Sequence, residues 1–150
     1  MGTNRILIID DEEIIRKETA EYLTLRGHSV SAAASADEAF VMIGASKPDI
    51  IMLDLRMPGV DGLTLLTKIK EQFPDIEVIM VTGHGDTRSV IDAVRGGAVD
   101  FCLKPSNAKE IEQALDRAAR AHELTKRLKA AEERCALLEK ELHDLKKQNR

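Results

Sequence analysis

Five short runs rich in apolar residues, at positions 6–9, 30–33, 50–53, 78–81 and 99–103, alternate with longer stretches whose apolar residues recur at helical spacing. Runs of four or five residues are strand-length, whereas the intervening segments have the length and period of helices. Strict alternation of the two implies an α/β domain built on a parallel sheet. Runs that are mostly continuous, rather than alternating apolar with polar, suit strands covered on both faces. Because such crossovers are right-handed, the pattern predicts an open, doubly wound, five-stranded parallel sheet of order 2-1-3-4-5.

Local signals agree with this register. Ser35 with Glu38, and Asn107 with Glu110, have the spacing of a capping box, in which side chains satisfy the free backbone donors of a helix start. Gly27, Gly96, Gly97 and Pro74 lie where helices should stop. With no Trp, one Tyr and three Phe, the core must be aliphatic, and stacking platforms for single-stranded nucleic acid are not expected. Residues 1–107 carry 11 basic and 17 acidic side chains, a balance that opposes direct binding to a nucleic-acid backbone. Cys102 and Cys135 match no metal-ligand spacing, and the apolar runs are far too short to span a membrane, so a cytoplasmic protein with free thiols is expected. His28 and His122 read as surface residues, and Cys102 as a small buried hydrophobe.

In an open parallel sheet, ligands bind beyond the carboxyl ends of the strands. The polar residues there are Asp10 and Asp11 after the first strand, Asp54 at the third, Thr82 at the fourth and Lys104 after the fifth. Clustered carboxylates raise one another's pKa unless a cation neutralises them, and Mg²⁺ (or Mn²⁺) suits an all-oxygen site completed by phosphate. A carboxylate nucleophile with a hydroxyl and an ammonium to hold phosphoryl oxygens points to formation of an aspartyl phosphate on Asp54.

Four segments in this order and spacing carry a family resemblance: Ile8-Ile9-Asp10-Asp11-Glu12; Leu53-Asp54-Leu55-Arg56-Met57-Pro58-Gly59-Val60-Asp61-Gly62; Val81-Thr82-Gly83-His84-Gly85; and Gly97-Ala98-Val99-Asp100-Phe101-Cys102-Leu103-Lys104-Pro105. Over residues 4–120 the chain resembles the response-regulator receiver domains of two-component signalling, which implies a flavodoxin-like fold. The resemblance implies Asp54 as phosphoacceptor and Asp10 and Asp11 as metal-binding acids. Asp11 and Asp54 would be direct ligands, with the Arg56 carbonyl as a third protein oxygen. Thr82 and Lys104 would contact the phosphoryl group, Phe101 would be a switch aromatic, and Arg56 and His84 would tune dephosphorylation. The bond before Pro105 is implied to be cis. The implied partner is a sensor histidine kinase, and the implied output is a fused or separate domain. Such a module catalyses its own phosphorylation and dephosphorylation but turns over no separate substrate.

Domain boundaries are expected at 1–120 for the receiver and 121–150 for an extension of its last helix. In that extension Leu124, Leu128, Ala131, Cys135, Leu138, Leu142 and Leu145 form an unbroken heptad seam of alternating d and a positions. Parallel pairing sets Arg127 against Glu132, Arg134 against Glu139 and Glu141 against Lys146, all attractive, so a parallel homodimeric coiled coil is expected. The alternative is a helix folded back on its own domain. His143-Asp144 lacks the proline that a kinase phosphoacceptor box requires.

Three rival functions are weighed against the same residues. A haloacid-dehalogenase-like phosphatase needs a second acid two residues after its nucleophile, where this chain has Arg56. A flavin binder needs an uncharged phosphate loop where Asp10, Asp11, Glu12 and Glu13 stand. The remaining rival is a non-phosphorylated receiver that acts only as a dimerisation scaffold.

Overall fold

The computed structural model describes residues 2–83, 86–104 and 106–149. Its main sheet contains β1 (Arg5–Ile9), β2 (Ser29–Ala33), β3 (Ile50–Asp54), β6 (Glu77–Thr82) and β7 (Asp100–Leu103), all parallel, in the order β2-β1-β3-β6-β7. This is the expected topology. The sequence reading did not anticipate a short antiparallel ribbon after β3, made of β4 (Arg56–Met57) and β5 (Val60–Asp61) around Pro58 and Gly59.

The helices are α1 (Glu13–Leu25), α2 (Ala36–Ser46), α3 (Gly62–Gln72), α4 (Thr87–Arg95) and α5 (Ala108–Gln148). The N-cap half of each predicted capping box forms, the Glu38 amide donating to Ser35 Oγ (3.2 Å) and the Glu110 amide to Asn107 Oδ1 (2.9 Å), while the glutamates accept instead from the Ala34 amide and from Asn107 Nδ2. Asp61 and Asp86 cap α3 and α4 in the same way, accepting from the amides of Leu63 and Ser89.

Alternation along each strand divides the core between the two faces of the sheet. Leu7, Ile9, Ile51, Leu53, Val78 and Met80 pack toward α2, α3 and α4. Ile6, Ile8, Ile50, Met52 and Ile79 pack toward Leu23 of α1 and Ala114, Leu115 and Ala118 of α5. Strands covered on both faces have no side free for polar residues, which is why the runs read as nearly continuous.

Two histidines are not the surface residues expected from sequence. His28 is buried, and its Nδ1 accepts from the Asn4 amide. His122 is largely enclosed on α5, with Nδ1 2.9 Å from the Asp75 carbonyl and Nε2 3.4 Å from Asp49 Oδ1. Neither contact has a local sequence signature, because each joins residues more than twenty positions apart. The helix runs unbroken past residue 120, and its contacts with the receiver continue to Lys129, whose ammonium lies 3.0 Å from Asp75 Oδ2. All seven seam positions beyond Ala121 are exposed, the leucines by 54–64%.

Candidate functional site

The parallel register aligns the carboxyl ends of the strands. Ile9 is level with Leu53, Asp54 with Val81, and Thr82 with Leu103, so the residues at or just beyond these ends share one edge. Asp10, Asp54 and Thr82 are only 4%, 5% and 1% exposed, although each is polar. Lys104 comes in from β7, its amide donating to the Thr82 carbonyl at 2.7 Å. Its ammonium donates to Asp10 Oδ2 at 2.7 Å and to Asp54 Oδ2 at 3.3 Å, spanning 94 and 50 residues of chain.

The surrounding backbone holds the acids in place. Asp10 Oδ1 accepts from the Glu12 amide (2.9 Å), and Asp54 Oδ1 accepts from the Arg56 amide (3.3 Å). Arg16, on the first turns of α1, donates from Nη1 to the Asp10 carbonyl at 2.8 Å. Sequence reading missed Arg16; its only signal is a cation one turn beyond an acidic loop.

Burial pushes the Asp54 carboxyl above its ordinary range, and the charge of Asp10 adds to this, while Lys104 and the Arg56 amide oppose it. Lys104 moves upward as well: its burial favours the neutral amine, but hydrogen bonding to Asp10 and the two carboxylate charges outweigh that. The site is therefore a pair of buried carboxylates that share one cation.

Asp10, Glu12 and Asp54 each offer a carboxylate oxygen, and these oxygens lie within 4.8 Å of one another. A donor set made wholly of hard oxygens, with one member solvent-facing, suits Mg²⁺, which keeps part of its water shell. Asp11, the ligand implied by resemblance, is half-exposed and stands outside this trio, whereas Glu12, part of the first motif but assigned no role by the resemblance, belongs to it. Arg56 is exposed on β4. Phe101 is partly buried against the core on the α3 and α4 side of the sheet. His84 and Pro105, and with them the tuning role and the cis bond, lie outside the described residues.

The profile of the response regulator receiver domain matches residues 6–116. The chain belongs to that family. Among curated receiver-containing relatives, it is 42% identical over 113 residues to the C4-dicarboxylate transport transcriptional regulatory protein DctD of Rhizobium meliloti, an alignment covering 75% of this chain and 25% of the relative. With the DctD of Pseudomonas aeruginosa the identity is 36% over 140 residues, covering 93% of this chain and 30% of that protein. Among solved structures, NtrX from Brucella abortus superposes with a TM-score of 0.82 at 35% identity, over 89% of this chain and 31% of that one. This receiver chain thus spans between a quarter and a third of the length of these relatives.

Proposed function

We propose that this receiver accepts a phosphoryl group on Asp54 from the phosphohistidine of a sensor kinase and passes the resulting state through α5 to a dimeric coiled coil. The observation that carries this reading is the meeting of buried Asp10 and Asp54 on the single ammonium of Lys104, from three separate strand ends. Two buried carboxylates at one cation cost stability and have no packing role, an arrangement suited to a charged reactant.

Asp54 would be the nucleophile: one carboxylate oxygen forms the bond to phosphorus as the donor's nitrogen–phosphorus bond breaks, and the departing imidazole takes up a proton from solvent. Asp10, Asp11, Glu12 and Asp54, with the Arg56 carbonyl, are the candidates to hold Mg²⁺. When bound, the ion neutralises the acids and draws in phosphoryl oxygens. Lys104 would follow charge from the carboxylates onto the phosphoryl oxygens, and Thr82 would offer its hydroxyl there. Such a shift would move the β6 and β7 ends, and with them Phe101, whose ring can report it by packing alone.

The exposed heptad leucines support a parallel homodimer, with an output domain, fused or separate, beyond the coil. Among the described residues no helix is long and apolar enough to cross a membrane, and a cytoplasmic location follows from the proposed kinase partnership. The test is incubation with acetyl phosphate and Mg²⁺ followed by intact mass. An adduct of about 80 Da, one phosphoryl group, should appear and should be absent in Asp54→Asn. An unmodified wild type, or an adduct kept by the variant, would return the chain to the role of a dimerising scaffold.

A further inference from the structure

An open groove of about 650 Å³ runs beside the root of the coil, between the loop joining α3 to β6 and the outer part of α5. Phe73, Pro74 and Asp75 form the receiver wall, and Thr125, Leu128 and Glu132 form the helix wall. In the heptad register Thr125 and Glu132 hold e positions and Leu128 an a position. The groove therefore opens on the flank of the seam where a parallel second copy presents its g residues.

Of the two g residues at that level, Arg120 faces Thr125 and Arg127 faces Glu132, the end of the groove that carries the acid. The chain's own Arg127 cannot enter, since residues 125 and 129 project about 200° away from residue 127 around the helix. It is solvent-facing and pairs loosely with Glu123, one turn earlier, at 3.5 Å. The groove carries two carboxylates, Asp75 and Glu132, against one ammonium, Lys129, which is already engaged with Asp75. This leaves one surplus negative charge above an apolar floor, which a guanidinium on a long aliphatic stem complements.

We infer that this groove receives Arg127 of a second copy of the chain, so that the base of the receiver, and not the coil alone, forms part of the dimer contact. The guanidinium lies between Glu132 and Asp75, and its methylenes cover Phe73, Pro74 and Leu128. The inference rests on the parallel dimer proposed above and adds a consequence: the receiver is geared to the coil, because rotating one against the other withdraws Arg127 from the groove.

Two experiments on the full chain test it. In a Cys135→Ala background, one pool carries Gln72→Cys and another Arg127→Cys. After mixing, a bifunctional maleimide with a span close to that of an arginine side chain should link positions 72 and 127, and only between copies; the longer reagent is needed because the arginine stem holds the two Cβ atoms farther apart than a disulfide allows. Separately, Arg127→Glu should raise the dimer dissociation constant about tenfold, and much of that loss should persist in a Glu132→Gln background, where Asp75 still lines the groove. A dimer with no such crosslink, or an Arg127 effect that vanishes once Glu132 is neutral, overturns the groove and leaves the coil standing. A monomer at every accessible concentration overturns both.

Discussion

Removing the Lys104 ammonium should unbalance the site in a way that a divalent cation can restore. Lys104→Ala leaves Asp10 and Asp54, each about 95% buried, without their shared partner. At an effective dielectric constant of about 20, contacts at 2.7 and 3.3 Å correspond to gross attractions of about 6 and 5 kcal/mol. Desolvation of the ammonium and ordering of its side chain offset most of this, and breaking a buried pair from one side typically costs about 3–5 kcal/mol. The expected loss is therefore about 3 kcal/mol at neutral pH in the presence of a chelator. The assay is urea unfolding at fixed protein concentration, with and without Mg²⁺. Metal bound among the carboxylates replaces the missing positive charge, so Mg²⁺ should recover more stability in Lys104→Ala than in the wild type. The deficit should also shrink in acid. Burial holds the Asp54 carboxyl above its ordinary value, so this group takes up its proton in the folded state before it does so in the unfolded chain. Equal stability of variant and wild type at neutral pH without metal would refute the claim that Lys104 neutralises the site.

Three further outcomes are expected. Asp11→Asn should raise the Mg²⁺ concentration needed for phosphorylation about tenfold and Glu12→Gln only a few-fold, if the resemblance assigns the ligand correctly; the reverse ranking, read from magnesium-dependent phosphorylation rates, gives the place to Glu12, which stands nearer the other acids. Gly62→Ala should destabilise the receiver by about 3 kcal/mol, because a Cβ there would sit 2.3 Å from the Leu55 carbonyl oxygen, whereas Gly44→Ala, with open space at its Cβ, should gain about 0.5–1 kcal/mol in α2; chemical denaturation of the pair checks both. Burial pushes the Cys102 thiol up to about 11, so alkylation of the folded protein at pH 8 should leave Cys102 unlabelled, whereas unfolding in urea should expose it to label; peptide mass mapping reads the difference.

The alternation of strands and helices, the order of the sheet and the four polar strand ends were legible in the sequence, because each rests on local periodicity or on a topological rule with few solutions. The heptad seam was legible for the same reason, since a helix presents residues three and four apart on one face wherever it goes. Only the tertiary structure decided which of the polar residues meet. Lys104 grips Asp10 and Asp54 across 94 and 50 residues of chain, and Glu12 rather than Asp11 brings a carboxylate oxygen within 4.8 Å of theirs. Arg16 donates to the backbone of the acidic loop, and His122 and Lys129 tie the outer part of α5 to Asp49 and Asp75 at the opposite end of the sheet. These contacts depend on side-chain direction and on distance between segments far apart in the chain. Periodicity carries neither: it records which face a residue occupies, and the packed fold determines what that face meets.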